Sequence, residues 1–120
     1  MAVEDQTVII KKGDTRPILT LTLYTRNSAG VKTVADLSAG GVAAKFTMTL
    51  IGSSTPKLSL KTMSIVNPGT SGVVQYTWAA ADTDTAGEYR AEVQVTYATG
   101  VIETFPNRGF FRVIVTEDLA

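Results

Sequence analysis

The chain has 120 residues, of which 44% are hydrophobic and only 18% charged, against roughly 25% charged in ordinary soluble domains, so it is sized for one domain with a substantial core. Eleven basic residues balance eleven acidic ones, which leaves no cationic excess to neutralise phosphates and argues against nucleic acid as a main partner. The absence of Cys and His excludes disulfides, Ser-His-Asp and Cys-His nucleophiles and the usual zinc ligand sets, and no apolar run approaches the roughly 18 residues of a membrane span.

Short segments with period-2 alternation recur about every ten residues, separated by turn residues, which is the pattern of an all-β domain. The first strand is predicted over residues 7–11, closed by Gly13-Asp14. The second follows Pro17 and alternates Leu19, Leu21 and Leu23 with Thr20 and Thr22, one face for the core and one for solvent. Residues 27–30 read as a loop, and 31–41 as a short edge segment ending at Gly40-Gly41. The third strand puts Ala44, Phe46, Met48 and Leu50 on one face and Lys45, Thr47 and Thr49 on the other.

The fourth region alternates at Leu58 and Leu60, then changes parity to Met63 and Ile65, as a bulge or bend produces. Asn67-Pro68-Gly69 is a turn, and the fifth strand turns Val74, Tyr76 and Trp78 inward. Ala79-Ala80-Ala81 is too short for more than a turn of helix. The sixth strand faces Tyr89, Ala91, Val93, Val95 and Tyr97 one way and Arg90, Glu92, Gln94 and Thr96 the other. A hairpin at residues 98–100 leads into 102–105, and Pro106 to Gly109 interrupts the final strand before it resumes at Phe110. The expected core contains Leu21, Phe46, Tyr76, Tyr89, Val93 and Val113, within one domain spanning residues 1–120 and folded over roughly 7–116.

The segment from Asp82 to Ala91 names the architecture. A Tyr at the start of strand F, bonding back to the preceding corner, marks immunoglobulin-like sandwiches, with a Cys two residues later where a disulfide exists. Tyr89 takes the Tyr position and Ala91 the Cys position. Asp84 is expected to bond nearby backbone amides, and Gly87 to supply a positive φ. Asp84, Gly87 and Tyr89 are thus a structural corner. The strand-C Trp is replaced by Phe46, which rules out an antibody-type domain and leaves a sandwich of about seven to nine antiparallel strands. Asp82-x-Asp84 with Gly87 also has the look of a calcium loop, but an EF-hand starting at Asp82 needs oxygen ligands where Ala86 and Val93 stand. No cofactor and no metal are expected.

The order of these motifs is familiar. Lys12-Gly13-Asp14-Thr15, the Leu-Thr-Leu strand, Phe46-Thr47-Met48, Gly72-Val73-Val74-Gln75-Tyr76, Asp82 through Tyr89, Thr104-Phe105-Pro106, Gly109-Phe110-Phe111 and Val113-Ile114-Val115 follow one another. Together they resemble the N-terminal domain family of phage baseplate upper proteins, from roughly Val8 to Val115. The resemblance implies an immunoglobulin-like structural protein of a tailed-phage or prophage particle, in the stand-alone form of the family. It would be made in the host bacterial cytoplasm, reside in the virion, and dock on baseplate, tail, neck or capsid surface. The partners implied are other phage structural proteins, with a second copy of the chain as a further candidate, and no catalytic activity is expected.

Two surfaces follow as expectations. Phe110 and Phe111 are adjacent and so point to opposite faces, and the 31–41 edge is guarded by charge only at Lys32 and Asp36. Phe105, Phe110, Phe111, Val34 and Leu37 are therefore the candidate interface. The alternative is a carbohydrate-binding or host-adhesion module, with a site on the 27–30 and 53–56 loops or on a platform of Trp78, Tyr76, Tyr24 and Tyr97; the inward alternation of Tyr76 and Trp78 favours core packing over a platform.

Overall fold

The computed structural model describes residues 3–119, with side chains from Gln6 onward; the side chains of Val3, Glu4 and Asp5, and residues 1, 2 and 120, lie outside the described part. The strands are β1 (Val3–Lys11), β2 (Leu19–Thr22), β3 (Tyr24–Arg26), β4 (Lys32–Val34), β5 (Ala43–Leu50), β6 (Leu58–Thr62), β7 (Ser64–Ile65), β8 (Val73–Tyr76), β9 (Gly87–Thr96), β10 (Ile102–Phe105) and β11 (Phe110–Thr116). One turn of 3-10 helix, Ala80–Thr83, joins β8 to β9. The described chain is all-β, as its alternation predicts.

A six-stranded sheet runs in the order β1-β11-β9-β5-β6, with β10 also paired to β9. A second sheet runs β2-β8-β7, and β3 and β4 form a separate hairpin. The pairings are antiparallel except that β1 lies parallel to β11. Two features of the sequence reading need correction. The sheet is mixed, and the described residues form eleven short strands where seven to nine were expected. The count rises because a chain that changes pairing partner divides one alternating run into two strands, and the sheet is mixed because β1 adds to the edge of β11 in parallel.

The parity change after Leu60 shows this. Leu58 pairs opposite Met48 on β5, with a register irregularity between Met48 and Phe46, and Leu60 takes a φ of 50°. The Met63 amide still bonds Ala44, but Ser64 and Ile65 pair with β8 in the second sheet. The run bulges and then crosses between sheets. Leu23 marks a similar switch: its amide bonds Gly72 and its carbonyl accepts from Ala35, so the chain leaves β8 for β4. Pro106 to Gly109 is looped out between two stretches paired to one edge of β9, with Phe105 opposite Val93 and Phe111 opposite Ala91.

The buried faces of the two sheets share one core. Leu21, Phe46, Tyr76, Tyr89, Val93 and Val113 are all buried in it, as predicted. Phe46 from β5 stacks on Tyr76 from β8 at 5.4 Å, and Trp78 meets both rings edge-on at 6.1 and 5.5 Å. This trio closes the space between sheets, so Tyr76 and Trp78 are core residues and form no open platform. Across the mouth of the core, the Gln6 side chain accepts from the Thr22 amide (2.7 Å) and donates to its carbonyl (2.6 Å). A side-chain amide here satisfies the backbone of β2, an edge strand of the second sheet.

Candidate functional site

The corner forms where residues 79–89 meet the end of β1. The Tyr89 ring is fully buried, and its hydroxyl donates to the Thr85 carbonyl at 2.6 Å. Burial raises the Tyr89 phenol above its ordinary range. Gly87 has a φ of 151°, a backbone conformation that favours glycine, and a Cβ on it would push aside the end of the Leu50 side chain, 2.6 Å away. Asp84 is placed differently from the sequence expectation. Its carboxylate takes the Lys57 ammonium and the Thr85 hydroxyl, side-chain donors rather than backbone amides, and Lys57 holds it below the usual carboxylate range.

The carboxylate that organises this corner is Asp82, which the sequence reading noticed only as a failed calcium ligand. It is buried, and one of its oxygens accepts from the Tyr76 hydroxyl (2.6 Å) and the Ala79 amide (2.8 Å). Desolvation, with Asp82 alongside, pushes the Tyr76 phenol strongly upward. Thr83 is fully buried; its hydroxyl donates to the Asp14 carbonyl at 2.8 Å, and its own carbonyl accepts from Gly13. The Gly13-Asp14 and Asp82–Tyr89 motifs, far apart in sequence, are therefore one joint. Among the described residues no cluster of three or more Asp or Glu is arranged to hold a metal.

A second polar joint lies near the 106–109 loop. Glu103 accepts from Tyr97 (2.8 Å), Thr25 (3.0 Å) and Asn107 (3.1 Å), and the Arg26 amide donates to Asn107 (2.8 Å). Desolvation and then Glu103 push the Tyr97 phenol up to about 12. This network pins the β3–β4 hairpin to the loop that interrupts the last strand. No signal in the sequence marks it, because its members are spread over more than eighty residues.

Three of the five expected interface residues are core. Phe105 and Phe111 are fully buried, because the register of β10 and β11 on β9 sets both beside inward-facing Val93 and Ala91. Leu37 is 3% exposed. Its amide bonds Gly69 and Ala35 bonds Leu23, so the 31–41 segment is stitched over the core and is not an open edge there. Val34 remains 38% exposed on β4. Phe110 is half-buried on the outer face of the large sheet, under the Arg90 guanidinium at 4.9 Å.

That outer face holds a concavity of about 410 Å³. Its floor is Thr47 and Thr49 of β5, Arg90 and Glu92 of β9, and Phe110 of β11, with the 51–53 turn as one wall. Thr49 lies opposite Arg90 and Thr47 opposite Glu92. Arg112 is directly opposite Arg90, and its charge is answered by Glu88 at 2.9 Å. Among the described residues, Arg90 and Glu92 form no ion pair of their own.

No protein-family model matches the chain, and a search of curated proteins finds no match.

Proposed function

We propose that this chain is an immunoglobulin-like sandwich serving as a structural component of a tailed-phage or prophage particle, where it docks on a larger virion assembly. The observation that carries the reading is the strand order. A sheet of order β1-β11-β9-β5-β6 and a sheet of order β2-β8-β7 share one core, and the tyrosine corner opens β9. In the immunoglobulin plan, B, E and D share one sheet and C, F and G the other. The order here corresponds if β2, β8 and β7 are B, E and D, and β5, β9 and β11 are C, F and G.

The virion role rests on the order of motifs that resembles the phage baseplate upper protein family. Two of those motifs meet at a common joint: Gly13-Asp14 and the Asp82–Tyr89 segment are hydrogen-bonded to each other. A joint made of backbone and side-chain bonds gives these two motifs a structural reason to occur in one chain.

The alternative of a glycan-binding module is less well supported by the aromatic residues. Tyr76 and Trp78 are buried, and Arg90 already covers the Phe110 ring. A reconstruction of the particle assembled with this gene product tests the proposal. Ordered copies burying at least about 1,000 Å² against another virion protein are expected of a specific contact. Absence of the chain from purified particles refutes the virion role, and saturable glycan binding by the purified chain favours the alternative.

A further inference from the structure

We propose that the outer face of the large sheet is a contact between two copies of this chain, related by a two-fold axis that crosses β9 at Ala91. This inference stands independently of the virion reading, because it rests on the charge order of one sheet face.

The register sets Met48, Ala91 and Phe111 side by side across β5, β9 and β11. Their side chains point into the core, so the flanking residues of each strand point outward. On one flank are Thr47 and Glu92, with Phe110 beside them; on the other are Thr49, Arg90 and Arg112. A two-fold axis lying in the contact plane, perpendicular to β9, exchanges the two flanks. Arg90 of one copy then stands over Glu92 of the other, and Glu92 over Arg90. Thr47 stands over Thr49. These facing pairs are cation on anion and hydroxyl on hydroxyl.

The same alternation selects against other partners. An anionic surface held by Arg90 is repelled by Glu92 two residues away, and a cationic one by Arg90. A second copy carries the matching alternation, since an isologous contact places residue i on j and j on i. Zero formal net charge removes general repulsion between copies. Packed sheets stand about 10 Å apart, a gap that outstretched Arg and Glu side chains together span. Five strands spaced ~4.8 Å apart, each about eight residues long at ~3.4 Å per residue, offer roughly 650 Å² per copy. The total of about 1,300 Å² lies at the lower end of specific interfaces.

Sedimentation equilibrium of the full chain from micromolar to millimolar concentration tests this. The wild type is expected to dimerise. Arg90→Glu and Glu92→Arg each place like charges face to face and should weaken dimerisation at least about tenfold. The double variant R90E/E92R restores the alternation and should recover dimerisation. Both side chains are exposed, and circular dichroism checks that each variant is folded. Independently of any variant, dilution of the labelled wild type should shift the amide resonances of β5, β9 and β11. A chain that stays monomeric to millimolar concentration, single reversals without effect, a double variant no better than the singles, or dilution shifts confined to other strands would each overturn the proposal.

Discussion

Replacing Tyr89 by Phe removes a single oxygen from the molecule, and its consequence can be worked out from the corner geometry. The ring is fully buried and keeps its packing in the variant, so no cavity term arises. What is lost is the 2.6 Å bond to the Thr85 carbonyl, four residues upstream. Removing one partner of a hydrogen bond in such a setting costs about 1–2 kcal/mol, most of it the desolvation of the acceptor left behind. For a domain of this size that corresponds to a fall in Tm of roughly 3–10 °C. Urea unfolding followed by Trp78 fluorescence is the assay. The midpoint should fall while the slope with denaturant stays constant, because the surface exposed on unfolding is unchanged. A midpoint equal to the wild type would refute the assignment of this bond as the corner's fastening. A changed slope would place the effect in the unfolded ensemble instead.

Three further outcomes are expected. Gly72→Ala should cost more than about 2 kcal/mol by thermal unfolding, since φ is +68° and a Cβ would lie 2.9 Å from the Leu23 and Ala35 carbonyls; Gly30→Ala, at a similar φ with open space around it, should cost only about 1–2 kcal/mol. Phe111→Ala should destabilise by about 3–5 kcal/mol, as a buried aromatic does, whereas half-buried Phe110→Ala should cost clearly less in the same denaturation series; equal losses would contradict the placement of the two rings. Stability should be constant from neutral pH up to the pH where unfolded-state tyrosines ionise, about 10, and then decline. The folded Tyr97 phenol titrates near about 12, and Tyr76 is also raised, so above that pH the unfolded state binds fewer protons than the folded one and is increasingly favoured. Urea midpoints measured across the alkaline range, alongside phenolate absorbance, check this; a midpoint insensitive to alkaline pH would show that these hydroxyls are not held protonated by the fold.

Much of the architecture is legible along the chain because side-chain alternation is a local property. The faces of β5 and β9 are written as Ala44-Phe46-Met48 and Tyr89-Ala91-Val93-Val95, and all seven residues are buried. Tyr89 at the corner is readable too, since its acceptor is only four residues away. The joints are less legible. Glu103 draws on Thr25, Tyr97 and Asn107, and Asp82 works through Tyr76 and the Ala79 amide; such residues look like ordinary surface polars until the chain brings them together.

The sequence by itself determined that this protein is all-β, where the long strands β5, β9 and β11 begin and end to within a few residues, and which face of β5 and β9 is apolar. Those properties follow from period two and turn chemistry, which act over neighbouring residues. Only the tertiary structure decided which strand pairs with which, that β1 runs parallel to β11, and that the run through Met63 crosses from one sheet to the other. It alone also decided that Phe105, Phe111 and Leu37 lie inside while Phe110 lies on the outer face. Alternation shows that Phe110 and Phe111 oppose each other, but not which one is inside. That choice depends on the register against Ala91, a contact between residues twenty positions apart, and hydrogen bonding between strands is set by their neighbours in space rather than in sequence.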